Sequence, residues 1–67
     1  MYKVRHYEDL EWWMNEFDLS EREAALEALY QNYEAAGFER ELLDKEFEPM
    51  SDEELFACFD DIIDMCC

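Results

Sequence analysis

Apolar side chains recur along this chain at helical spacing. Leu10, Trp13, Met14 and Phe17 fall at i, i+3, i+4 and i+7, the signature of one helix face. Glu8, Asp9 and Glu11 sit in the first turn, where carboxylates favour the positive end of the helix dipole. The pattern predicts a helix over 7–17. Leu26, Leu29, Tyr30 and Tyr33 repeat the spacing, preceded by Ser20-Glu21-Arg22-Glu23 and followed by Gly37. The first is a capping box and the second a C-terminal glycine stop, which predicts a helix over 21–36.

Leu42, Leu43, Lys45 and Glu46 favour a short helix near 39–46. Pro49 ends it and biases Glu48 toward extended backbone. Ser51-Asp52-Glu53-Glu54 is a second capping box. Behind it Leu55, Phe56, Phe59, Ile62 and Ile63 line one side of a final helix over 52–65. Residues 2–6 alternate weakly, as either a short extended strand or an unstructured lead-in.

The expectation is an all-α fold: a small antiparallel bundle of three main helices with a short fourth and a short extended N-terminal segment. Its core should comprise Leu10, Trp13, Phe17, Leu26, Leu29, Tyr33, Leu55, Phe59 and Ile62. With 67 residues, one acidic helical domain over 1–67 is the sensible count. One glycine and one proline leave little room for a loop-rich fold.

Charge changes the picture most. Twenty acidic residues against five lysines and arginines give a formal net charge of −15. Two of those cations, Lys3 and Arg5, precede all of the acids. Solubility in a small domain is met by a net charge of magnitude about 2–8. The excess argues against direct binding to nucleic acid or to an anionic membrane, and for a basic partner. Disorder is a poor alternative, because acidic tails lack aromatics and this chain is 16% aromatic.

The stretch from Asp44 to Asp64 concentrates the charge, with nine carboxylates and a single cation, Lys45. A calcium loop would need alternating oxygen ligands and a turn glycine. Here the acids cluster as SDEE and DD inside a helical pattern. A di-iron bundle needs Glu-x-x-His pairs, and the one histidine, His6, has no such partner. Cys58, Cys66, Cys67 and His6 match no common zinc spacing. No metal or other cofactor is expected.

An enzyme is not expected either. Ser20 and Ser51 are engaged as caps, His6 is isolated, and a bundle this size offers little cleft volume. Cys58 falls within the final helical pattern as a small packed residue. Cys66 and Cys67 read as frayed, exposed thiols. An odd cysteine count is no disulfide framework. With no targeting stretch and no apolar run of about 20 residues, the expected location is the cytoplasm.

Glu23, Glu27 and Glu34 form one acidic stripe at helical spacings. Glu53, Asp60 and Asp64 form a second, with Glu54 and Asp61 beside it. Solvated helices commonly interleave Glu with Lys four residues on, whereas like charges at that spacing repel. Carboxylates one turn apart stand roughly 5–6 Å from each other. Phosphates along one DNA strand advance by about 3.4 Å per nucleotide along the axis, so a bundle can display charge at comparable density. Trp12 lies off the Leu10/Trp13/Phe17 face. It either points outward as a binding anchor or packs on another helix or the N-terminal segment.

In size and charge the whole chain resembles the small acidic inhibitors encoded by phages and mobile elements, the anti-CRISPR and anti-restriction proteins that imitate DNA. The resemblance is carried by no motif. It implies a stoichiometric inhibitor of a basic nucleic-acid-binding protein or effector complex in a host cytoplasm. The partner-binding residues would be Glu23, Glu27, Glu34, Glu53, Glu54, Asp60, Asp61, Asp64 and Trp12. Reversing Asp60, Asp61 and Asp64 to lysine should then abolish binding and leave the helix folded. The alternative is a small acidic interaction module or homodimer of phage or plasmid origin, without mimicry.

Overall fold

A computed structural model describes residues 2–66, with the side chain of Cys66 left out. Four helices follow in order: α1 Tyr7–Phe17, α2 Glu21–Ala35, α3 Arg40–Phe47 and α4 Asp52–Cys66. The expected all-α architecture is present, and the described residues contain no strand.

Local chemistry sets the helix ends. Ser20 Oγ accepts from the Glu23 amide, and Ser51 Oγ from the Glu54 amide, both at 3.3 Å. In each box the hydroxyl also meets the glutamate carboxylate. Helix α2 ends in a Schellman motif. The Phe38 amide donates to the Tyr33 carbonyl and the Gly37 amide to the Glu34 carbonyl, both at 3.0 Å. Gly37 takes φ 104°, which costs a glycine little, and the Phe38 ring meets Tyr33 edge-on at 5.6 Å. Helix α1 ends less comfortably, with Asp18 left-handed at φ 53°.

Helices α2 and α4 form the spine. One core cluster joins Leu29 and Tyr30 of α2 to Leu55 and Ile62 of α4, and α3 closes it with Leu43 and Phe47. The other joins Ala24, Ala25 and Ala28 of α2 to Phe59 of α4, and α1 closes it with Leu10. Small alanines let the helix axes approach, which is how three partners fit around α2. Leu10, Leu29, Leu55, Phe59 and Ile62 are buried as expected, while Trp13, Leu26 and Tyr33 are half-buried. Phe17 corrects the expected core: it is 42% exposed. It lies in the last turn of α1, beyond the Leu10 contact with α2 and α4.

Two backbone expectations also change. Residues 2–6 are neither a strand nor unstructured. They form an arm that packs Val4 onto the Leu10/Phe59 cluster and turns into α1. Glu48, placed in extended backbone by the proline rule, is instead helical at φ −56°, ψ −44°. Arg22 holds that turn, donating to the carbonyls of Glu48 at 3.2 Å and Met50 at 2.9 Å. Its other nitrogen pairs with Asp52 at 2.6 Å. One guanidinium therefore secures the whole α3–α4 connection to α2.

Candidate functional site

The second acidic stripe does not face solvent as a unit. Asp60 is fully buried. It sits i+4 from Phe56 and i−3 from Ile63, between apolar positions of α4. Its carboxylate receives the Tyr2 hydroxyl at 2.5 Å, the Arg5 amide at 3.0 Å and the His6 amide at 3.1 Å. Burial alone would push its pKa up. The hydrogen bonds from the Arg5 amide, Tyr2 and the His6 amide, with the Arg5 charge, outweigh it and hold the carboxyl below the usual range. Asp60 is thus corrected from a partner-facing acid to the latch of the N-terminal arm.

Asp64, one turn on, completes the latch at the surface. It accepts from Arg5 Nη2 at 2.7 Å and lies 2.6 Å from His6 Nε2. These two contacts, His6 first, also lower its pKa. His6 is therefore engaged in holding the arm. Reversing Asp60 to lysine would bury an ammonium group against Arg5, so the proposed triple reversal would not leave the bundle intact.

The first stripe is partly neutralised. Arg40 reaches Glu34 at 2.8 Å and Glu27 at 3.3 Å. Its guanidinium carbon lies 4.9 Å from the centroid of the Tyr30 ring. Burial, then the neighbouring Asp44, pushes the Tyr30 hydroxyl up to about 12. Glu23 and Glu54 are exposed but engaged with their capping serines. Glu53 and Asp61 are exposed on α4.

Trp12 takes the outward alternative. It is 53% exposed and meets Trp13 edge-on at 5.2 Å and Phe17 at 6.3 Å. Trp13 and Phe17 stack at 5.3 Å. Helix α1 thus presents three aromatic rings, and its eleven residues include no lysine or arginine.

An open groove of about 740 Å³ runs between the arm and the starts of α2 and α4, lined by Tyr2, Val4, Tyr7, Arg22, Asp52 and Phe56 among others. This corrects the expectation of little cleft volume, since the docked arm builds a wall that helix periodicity does not foresee. Across the groove from the arm, Arg22 of α2 and Asp52 of α4 are bonded to each other. Cys58 is half-buried against the Leu29/Leu55 cluster. Burial, then Asp61 and Glu54, pushes its thiol up, away from the nucleophilic thiolate. The expectation for the Cys66 and Cys67 thiols lies outside the described residues.

Among the described residues no three His, Cys, Asp or Glu side chains converge as a metal site. Among those residues no helix is long and apolar enough to cross a membrane. No protein-family model matches the chain, and no curated protein or solved structure is significantly similar to it.

Proposed function

We propose that this chain is a stoichiometric acidic inhibitor that occupies the basic nucleic-acid-binding surface of a host defence complex. The observation that carries the reading is a folded body whose arginines are all taken up in ion pairs with its own acids. Arg5, Arg22 and Arg40 are all bonded across elements of the bundle. Exposed carboxylates remain on every helix, among them Glu8 and Glu16 on α1, Glu34 on α2, Glu41 and Glu46 on α3, and Glu53 and Asp61 on α4. A Lys/Arg-lined groove can neutralise such a surface and displace the counterions it holds, as it does with phosphates. The defence-complex target follows from the resemblance to phage and mobile-element inhibitors.

A tagged pull-down from nuclease-treated bacterial lysate tests the reading. A basic nucleic-acid-binding complex captured at low salt and shed at high salt supports it. Competition by DNA or RNA for that complex, and loss of capture by a folded Glu53→Lys, Asp61→Lys variant, would strengthen it. Capture of no basic partner at any salt removes it.

A second reading, a homodimer or plain interaction module, draws support from Phe38, Leu42 and Met65, which are 53%, 57% and 76% exposed. Phe38 and Met65 border a shared apolar depression of about 220 Å³. Salt-resistant self-association, abolished by Phe38→Ser, would favour it.

A further inference from the structure

The Arg40 site repeats elsewhere in the chain with its cation missing. On α2 the pattern is acid, aromatic, acid at i, i+3 and i+7: Glu27, Tyr30, Glu34. Arg40 lies over the ring and bonds both carboxylates. The same spacing occurs on α1 as Asp9, Trp12, Glu16. It occurs again on α4 as Glu53, Phe56, Asp60. The α4 copy is closed, because Asp60 is buried beneath the arm and Arg5 lies 3.9 Å from it. The α1 copy is open. Asp9, Trp12 and Glu16 are all exposed, and among the described residues no cation lies over Trp12 or pairs with either acid.

We infer that Asp9, Trp12 and Glu16 form a docking site for an arginine side chain supplied by a basic partner. The inference rests on the inhibitor reading in taking the partner to be cationic, and it names the surface and the residue type recognised. Three physical points favour arginine. An indole gives the strongest cation–π surface of any side chain, and a planar guanidinium stacks on it where an ammonium does not. Carboxylates at i and i+7 flank the ring as they do on α2, so the guanidinium can keep a bond to each. Trp13 and Phe17, stacked beside Trp12, widen the apolar floor for the arginine's methylene stem.

Charge complementarity decides against a second copy as occupant. Each chain carries −15, and α1 carries acids with no lysine or arginine. Two such faces would meet like charge with like charge at short range.

Fluorescence titration of the intact protein with hexa-arginine and with hexalysine tests the inference, since Trp12 is the proposed contact and Trp13 touches it edge-on. Hexa-arginine should bind several-fold more tightly than hexalysine. Trp12→Ala should lower its affinity by about 5- to 10-fold, as loss of a cation–π contact predicts, and Trp12→Phe should restore part of it. Because Trp12→Ala also removes a reporter, its binding is read by calorimetry. The double variant Asp9→Asn, Glu16→Gln should lose more affinity than Glu41→Gln, Glu46→Gln, which removes the same charge on α3. Circular dichroism establishes that each variant is folded.

Equal losses in the two charge pairs, no loss in Trp12→Ala, or equal affinity for the two peptides would overturn the site. So would a dimer in sedimentation that Trp12→Ala dissolves, which would assign the face to a second copy. The peptide experiment needs no identified complex, so the two readings fail separately. A complex captured equally well by Trp12→Ala removes the site and keeps the inhibitor. Peptide results as expected with no basic complex captured keep the site and remove the inhibitor.

Discussion

The Tyr2 hydroxyl donates a 2.5 Å hydrogen bond to the buried carboxylate of Asp60, joining residues 58 positions apart. With the Arg5 and His6 amides on the same carboxylate, one acid on α4 organises the whole N-terminal arm. A buried carboxylate is tolerated when its lone pairs are filled, and its removal leaves donors without partners.

Asp60→Ala should therefore destabilise the protein by about 2–4 kcal/mol, the range for removing one partner of a buried charged network. Asp61→Ala next to it should have little effect. Urea unfolding of the two variants measures the difference. Tyr2→Phe, which removes one donor and keeps the ring, should speed amide exchange at Arg5 and His6 while leaving exchange at Phe59 unchanged.

The latch should open in acid. Asp60 and Asp64 both have pKa values lowered by folding. Their stabilisation is fully present above the unfolded carboxylate value of about 3.9, and it is lost as pH falls through that value toward their lower folded ones. Amide resonances of Arg5 and His6 should shift together below about pH 4, before the Phe59 resonance changes. Their release at higher pH would contradict the assignment.

Asp18→Gly should stabilise the protein. Asp18 is left-handed at φ 53° at the C-terminal end of α1, where its Cβ is strained and its charge faces the negative end of the dipole. Glycine removes both penalties, for a gain of about 0.5–1 kcal/mol. Thermal unfolding should show a midpoint several degrees higher, within the roughly 4–8 °C per kcal/mol expected of a domain this size.

Arg40→Gln should lower stability more in low salt than in high salt. The change frees Glu27 and Glu34 from their shared cation and uncovers Tyr30. Salt screens the repulsion that results. Thermal midpoints in 20 mM and 500 mM NaCl, compared with the parent protein, give the readout; an equal loss in both would mean that Arg40 acts by packing alone.

The helices were legible because their ends are written locally. Ser20, Ser51 and Gly37 act on amides and carbonyls a few residues away, so spacing alone locates them. The core of α2 was less legible. Its buried surface runs through Ala24, Ala25 and Ala28, which are too small to stand out in an apolar pattern built on Leu and Tyr. The acidic stripes failed at Asp60 for a different reason. Periodicity orients a residue on its own helix but says nothing of an arm arriving from more than fifty positions away. One signal was present, since Asp60 interrupts the apolar series Phe56, Phe59, Ile63. The arginine clasps are equally non-local: Arg22 and Arg40 find their acids only after α3 has folded back onto α2.

The arm also fixes an order of events. Its bonds to α4 span 54 to 59 residues, among the widest separations in the molecule, and such contacts form after the loop between them is closed. Residues 2–6 find their partners only once α4 has packed, because the carboxylates that hold them belong to Asp60 and Asp64. The arm is therefore a seal drawn over a bundle that is already assembled, and it is what hides the Asp60 carboxylate.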